Sequence, residues 1–226
     1  MSPLDLSLPT ALILIDNQIG FCAPETISHW GTTRSNPRYE TNLQTLLSTF
    51  RTARSSSSTL LEVIHIYHSS VMPGSPLHPS NNGIRPLDFA TPASDGSEPV
   101  FWKSVNSSFI GTNLEAHLRE KGFRQLIVAG LTTDHCVSTT VRMAANLGVV
   151  DRLLDGEPVQ IKSDGTHVKD VPVDKGRIVL VSDATATFGK GGFDSETIHK
   201  VSAASLDGEF CDVVGTEDVV EALRKV

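Results

Sequence analysis

Three side chains of complementary reactivity stand out in this 226-residue chain: a carboxylic acid, Asp16, an amine, Lys103, and a thiol, Cys136. Each closes an apolar run. Asp16 follows Ala11-Leu12-Ile13-Leu14-Ile15, Lys103 follows Pro99-Val100-Phe101-Trp102, and Cys136 follows Gln125-Leu126-Ile127-Val128-Ala129 by way of Gly130 to His135. A thiol of ordinary pKa, about 8.5, is mostly protonated at neutral pH and needs a base and a nearby cation to become a nucleophile. Asp16 can be that base. Lys103 can hold it and add positive charge, and the pairing makes two charges tolerable in a water-poor cleft. The pattern also puts Cys136 on the first turn of a helix running to Leu147 and closed by Gly148, where unpaired N–H groups and the helix dipole favour the thiolate.

The elements that must position these groups alternate between strand and helix. Ala11–Ile15, Glu62–Tyr67, Gln125–Ala129 and Arg177–Val181 read as buried strands, with Phe210–Val214 as a short outer one. Helical spacing runs over Thr41–Arg54, where Leu43, Leu46, Leu47 and Phe50 share a face, and over Thr112–Lys121, Cys136–Leu147, Asp194–Leu206 and Thr216–Lys225. Thr112-x-x-Glu115 reads as a capping box and Thr216 as an N-cap. Such alternation predicts a parallel sheet with helices on both faces, and ligands in such sheets bind beyond the carboxyl ends of the strands. Two segments break the pattern. Ser69–Val100 is too long and too rich in Pro, Gly and Ser for a passive connection and is expected to cover the site. Gly148–Gly176 is expected to be an inserted excursion used in assembly, with Asp164-Gly165 as a type I′ hairpin turn between Val159–Ser163 and Thr166–Lys169. No repeat and no second core is visible, so residues 1–226 read as one domain.

Ala11 to Phe21, Lys103 to Phe109, Gly130 to Val137 and Ser182 to Phe188 together resemble the signatures of the isochorismatase-like cysteine hydrolase superfamily, and the resemblance spans about Thr10 to Val220. It implies a three-layer α/β/α sandwich with a mostly parallel sheet. It also implies an Asp–Lys–Cys triad at Asp16, Lys103 and Cys136, a cis Leu131–Thr132 peptide, and an oxyanion hole made by the Thr132 and Cys136 backbone N–H groups. The expected activity is hydrolysis of a small amide or amide-like C–N bond through a Cys136 thioester. Vinyl-ether hydrolysis with Asp16 as the acid is the alternative within the superfamily. There the dedicated enzymes have glycine at the cysteine position, and Arg85 would clamp a substrate carboxylate. A non-catalytic binding protein on the same scaffold is the alternative outside it.

Phe21, Trp30, His68, Trp102 and Phe109 are the candidate substrate-binding residues, by their nearness to the three motifs. Nicotinamidases of the superfamily hold a metal with an Asp-x-His pair. Here the second strand ends His65-Ile66-Tyr67-His68-Ser69, without that Asp, and the two histidines differ in strand parity. No metal and no cofactor is expected. Gly189-Lys190-Gly191-Gly192 reads as a flexible loop able to gate the site.

A net charge of −7 with no basic stripe argues against nucleic acid as a partner. No apolar run approaches the ~20 residues of a membrane span. Met1–Thr10 lacks the basic flank of a signal peptide. Three cysteines, an odd and sparse set, argue for a reducing compartment, so a cytoplasmic location is expected. The expected partners are a small-molecule substrate and further copies of the chain, as a dimer or tetramer.

Overall fold

A computed structural model describes residues 4–226, so the start of the Met1–Thr10 segment lies outside the described residues. The strands are β1 (Thr10–Ile15), β2 (Leu61–His68), β3 (Val100–Lys103), β4 (Gln125–Leu131), the short pair β5 (Arg152–Leu153) and β6 (Val173–Asp174), β7 (Arg177–Ala186) and β8 (Asp212–Val214). The helices are α1 (Ile19–Cys22), α2 (Ile27–Trp30), α3 (Tyr39–Ser56), α4 (Leu114–Glu120), α5 (Ser138–Leu147), α6 (Ser195–Ala204) and α7 (Thr216–Leu223). Six strands form one sheet in the order β3-β2-β1-β4-β7-β8, and every pairing in it is parallel.

Alternation along each central strand divides the core into two layers, because successive side chains point to opposite faces. Leu12, Leu14, Val63, Ile127 and Val179 pack on one side with Leu43, Leu46, Leu47 and Phe50 of α3 and Val219 and Leu223 of α7. Ala11, Ile13, Ile15, Ile64, Val128 and Leu180 pack on the other with Leu114 and Leu118 of α4, Val141 and Ala144 of α5 and Ala203 of α6. The result is the expected α/β/α sandwich.

The β4–β7 ladder carries a bulge that serves the site. Val128 faces Leu180, but Gly130 faces Thr185, so β7 carries extra residues between the two pairs. Gly130 has φ +124, and a Cβ there would lie 2.0 Å from the Ile15 carbonyl oxygen. Only glycine lets β4 close on β1 at this point, which is where Asp16 begins.

Three local expectations differ from the structure. Thr112 makes no capping box: α4 is capped by Asn113 without a side-chain bond, and Glu115 pairs with Arg119 at 2.9 Å. In the excursion, Gly165 N–H donates to Lys162 and Lys162 N–H to Thr166, so Ser163-Asp164 are the central pair and Gly165, φ +85, takes the left-handed position after them. That is a three-residue loop of the type I plus bulge kind, set by the Asp164 carboxylate accepting from Thr166. Thr216 lies inside α7, and its N–H and hydroxyl both donate to Asp183 while Gly215 is the N-cap.

Candidate active site

The carboxyl ends of four adjacent strands, β3, β2, β1 and β4, deliver Lys103, His68, Asp16 and the turn bearing Cys136 to one place. β3 lies two strands from β1, roughly 10 Å at ordinary strand spacing. Only a long side chain closes that gap, and Lys103 Nζ donates to Asp16 Oδ2 at 2.7 Å with both side chains fully buried. Lys103 Nζ also donates to His68 Nδ1 at 3.3 Å. Asp16 itself sits at φ +53, a conformation Asp tolerates better than most residues. Its Oδ1 is buried and accepts no hydrogen bond.

Cys136 falls in a single π-helical turn, Thr133–Val137, that precedes α5. The sequence pattern placed it on the first turn of the following helix, which instead begins at Ser138. The π turn is pinned from behind: Thr133 Oγ1 bonds to His199 Nδ1 of α6 at 2.9 Å and to Thr185 Oγ1 of β7 at 3.2 Å. The Leu131–Thr132 peptide just before it is cis. Cys136 Sγ, the Asp16 carboxylate and a His68 ring nitrogen lie within 4.8 Å of one another. Sγ also reaches Asn106 Oδ1 at 3.9 Å.

The electrostatics correct one expectation. Burial pushes the Cys136 thiol well above its usual range, the neighbouring Asp16 pushes it the same way, and Lys103 pulls it only part of the way back. Burial and Asp16 thus favour the thiol, against the thiolate preference of a helix terminus. Burial works against the charged form of Lys103, yet Asp16 holds its ammonium above the usual lysine range. His68 is shifted down, first by burial and then by Lys103, so it is a neutral acceptor for that ammonium. Asp16, His68 and Cys136 bring potential metal-ligand atoms to one point, and the Lys103 ammonium bound to Asp16 and His68 places a fixed positive charge beside it that disfavours a second cation. His65, on the opposite face of β2, is tied to Glu98 at 2.9 Å.

A cavity of about 100 Å³ opens over the sulfur, lined by Phe21, Trp30, His68, Leu77, Asn106, Thr132, His135, Cys136, Phe188 and Lys190. It gathers three of the five expected pocket residues, Phe21, Trp30 and His68. Trp102 and Phe109 lie elsewhere. Trp102 precedes Lys103 on a strand and so faces the other way, its ring centroid 5.2 Å from that of Tyr67 in a tilted contact and nearly half its surface exposed. Phe109 packs into the apolar layer beneath α4 and α5. Arg85 is exposed and does not line the cavity.

The long Ser69–Val100 segment does border the site through Leu77. Gln18 fastens that segment: its amide spans the His68 backbone and the Ile84 carbonyl. Leu77, Asn106, His135, Phe188 and Lys190 in the lining, and Gln18 behind it, are positions that sequence reasoning missed as site residues. Asn106, His135 and Phe188 lay inside motifs already noted, and Lys190 inside the loop expected to gate the site, but none of them was given a role of its own. The loop bearing Lys190 is a closed turn, with reciprocal Lys190–Phe193 backbone bonds and positive φ at Gly191 and Gly192, and Lys190 Nζ is held 2.6 Å from Asp134.

The isochorismatase domain matches residues 10–218. The isochorismatase family protein YrdC of Bacillus subtilis is 34% identical over 220 residues, 95% of this chain and 96% of its own. A solved isochorismatase-family structure from Chromobacterium violaceum is 33% identical, covers 100% of both chains and superposes with a TM-score of 0.76. A cysteine hydrolase from Pseudomonas syringae shares the fold at 21% identity and a TM-score of 0.72, over 99% of this chain and 95% of its own.

Proposed function

The chain belongs to the isochorismatase family of hydrolases, and from that premise we propose that it cleaves a small amide or amide-like C–N bond through a thioester on Cys136. One observation carries the reading. Asp16 uses one carboxylate oxygen to hold Lys103, the other is buried and accepts no hydrogen bond, and the carboxylate lies within 4.8 Å of the Cys136 sulfur. A carboxylate so placed is a general base kept ready for a thiol that burial keeps protonated.

In the first half-reaction Asp16 takes the Cys136 proton as sulfur attacks the carbonyl carbon. The tetrahedral oxyanion is stabilised by the Thr132 and Cys136 N–H groups, donors of a kind whose individual loss costs about 3 kcal/mol. Asp16 returns the proton to the departing nitrogen, and the C–N bond breaks. In the second half-reaction Asp16 takes a proton from water, hydroxide equivalent adds to the thioester, and the carboxylic acid leaves as sulfur regains a proton. Lys103 stays charged throughout and fixes the position of Asp16, with His68 as its second acceptor.

A panel of small amides, carbamoyl compounds and isochorismate tests this against the vinyl-ether alternative. Cys136→Ala should abolish C–N hydrolysis. If Cys136→Gly instead retains cleavage of isochorismate and the native protein turns over no amide, the reading is wrong.

A further inference from the structure

The cavity's charges are all spoken for, and that bears on what it accepts. Its one lining ammonium among the described residues, Lys190, is held at 2.6 Å by Asp134, whose other oxygen accepts from Thr187. His135 Nε2 lies 3.5 Å from the same Asp134. Beneath the floor, Asp16 and Lys103 form the second closed pair. The wall opposite is apolar: Phe21 and Trp30 stack at 4.4 Å, with Leu77 and Phe188 beside them. Trp30 spends its one donor on the Gly20 carbonyl at 2.7 Å, so its polar edge is satisfied within the protein. Apart from Lys190 and His135, which both face Asp134, the polar groups of the lining are Asn106, Thr132 and His68 at the reacting end. The volume, about 100 Å³, is well below the several hundred typical of pockets for drug-sized ligands.

From these features we infer that the site selects compact, uncharged carboxamides with an apolar non-reacting end; the reacting end rests on the C–N hydrolase reading. An ionised substrate group would surrender its water and meet a cation that is already paired, an uncompensated desolvation. An apolar group loses nothing by leaving water and gains contact with the aromatic wall. The Lys190–Asp134 pair is then a positioning device and a charge filter at the rim. The inference also sets the chain apart from enzymes whose substrate is a dicarboxylate.

The test uses Cys136→Ala protein, in which binding is read without turnover, and ligands of equal size that differ in charge. Calorimetric titration should show isovaleramide binding at least ~10-fold tighter than malonamate, and propanamide at least ~10-fold tighter than glycinamide. Adding Asp134→Asn, which leaves the Lys190 ammonium without its partner, should narrow the first gap by about fivefold or more. Lys190→Gln, which removes the ammonium altogether, should leave malonamate disfavoured. Equal or tighter binding of malonamate to the Cys136→Ala protein, or no saturable binding of isovaleramide, overturns the inference. Turnover by the native protein reports on the other claim separately. Preference for isovaleramide with no amide turnover sinks the hydrolase reading alone, and Cys136-dependent turnover of malonamate over isovaleramide sinks the charge filter alone.

Discussion

Asp16 has one oxygen committed to Lys103 and one uncommitted, and the chemistry turns on that division. Asp16→Asn keeps the shape and loses the base, so kcat on a competent amide should fall by ~10²–10⁴; retention of the native rate would exclude Asp16 as the proton acceptor. Lys103→Met leaves a buried carboxylate unpaired, and chemical denaturation should register a loss of about 3–5 kcal/mol. The thiol has its own signature. Because burial and Asp16 raise Cys136, its alkylation by iodoacetamide should keep accelerating well past pH ~8.5 instead of levelling there as an ordinary thiol does. A plateau near that pH would show a resting thiolate. All three residues were legible in the sequence because each closes an apolar run, and a strand's end is where an α/β sheet exposes its side chains. Trp102 was misplaced because its neighbour Lys103 takes the inward face of the same strand. Lys190 was missed because a cation beside glycines looks the same whether it gates a site or lines one.

Among the elements, the β4–π turn–α5 unit does the positioning, and Gly130 is where its backbone packs tightly against the end of β1, beside Asp16. Gly130→Ala combines a left-handed φ with a 2.0 Å overlap on the Ile15 carbonyl, so a loss of ~3 kcal/mol or more is expected. Gly122 also has positive φ, +70, but open space around it, and Gly122→Ala should cost only about 1 kcal/mol. Urea midpoints for the two variants separate backbone strain from steric closure; equal losses would contradict the close-approach account. Strand and helix positions were largely readable from hydrophobic period. The π turn was not, since an insertion in the helical ladder leaves the apolar spacing of Val137, Val141 and Ala144 looking continuous. Thr112 and Asp164-Gly165 were likewise ambiguous, because short polar residues serve several turn types and the surrounding contacts choose among them.

Across the whole molecule, the strand order β3-β2-β1-β4-β7-β8 brings together residues that are far apart in sequence, and that order is not written in any local pattern. Parallel alternation was legible; which strands become neighbours depends on how helices partition between the two faces. Two histidines partly or fully withdrawn from water, His68 and His199, give the fold a pH dependence. Burial holds both His68 and His199 below the ordinary histidine pKa, so the native state declines protons that the unfolded chain binds below about pH 6.5. Their contribution to stability is present above that pH and is lost as pH falls towards their folded values. Thermal melting temperature should therefore drop between about pH 7.5 and pH 5, and His199→Gln, relieved of one such group, should show a shallower drop. A flat profile in the native protein would contradict the burial argument.

The claim that all else serves is that the Cys136 sulfur makes a covalent bond to the acyl carbon. Mixing the protein with 4-nitrophenyl acetate and quenching in acid tests it directly, since an activated ester acylates the nucleophile whatever amine the natural substrate releases. The account predicts a burst of nitrophenolate and an acetyl mass increment on the peptide containing Cys136, absent in Cys136→Ala. An unmodified Cys136 peptide, or an equal burst from the alanine variant, would contradict it.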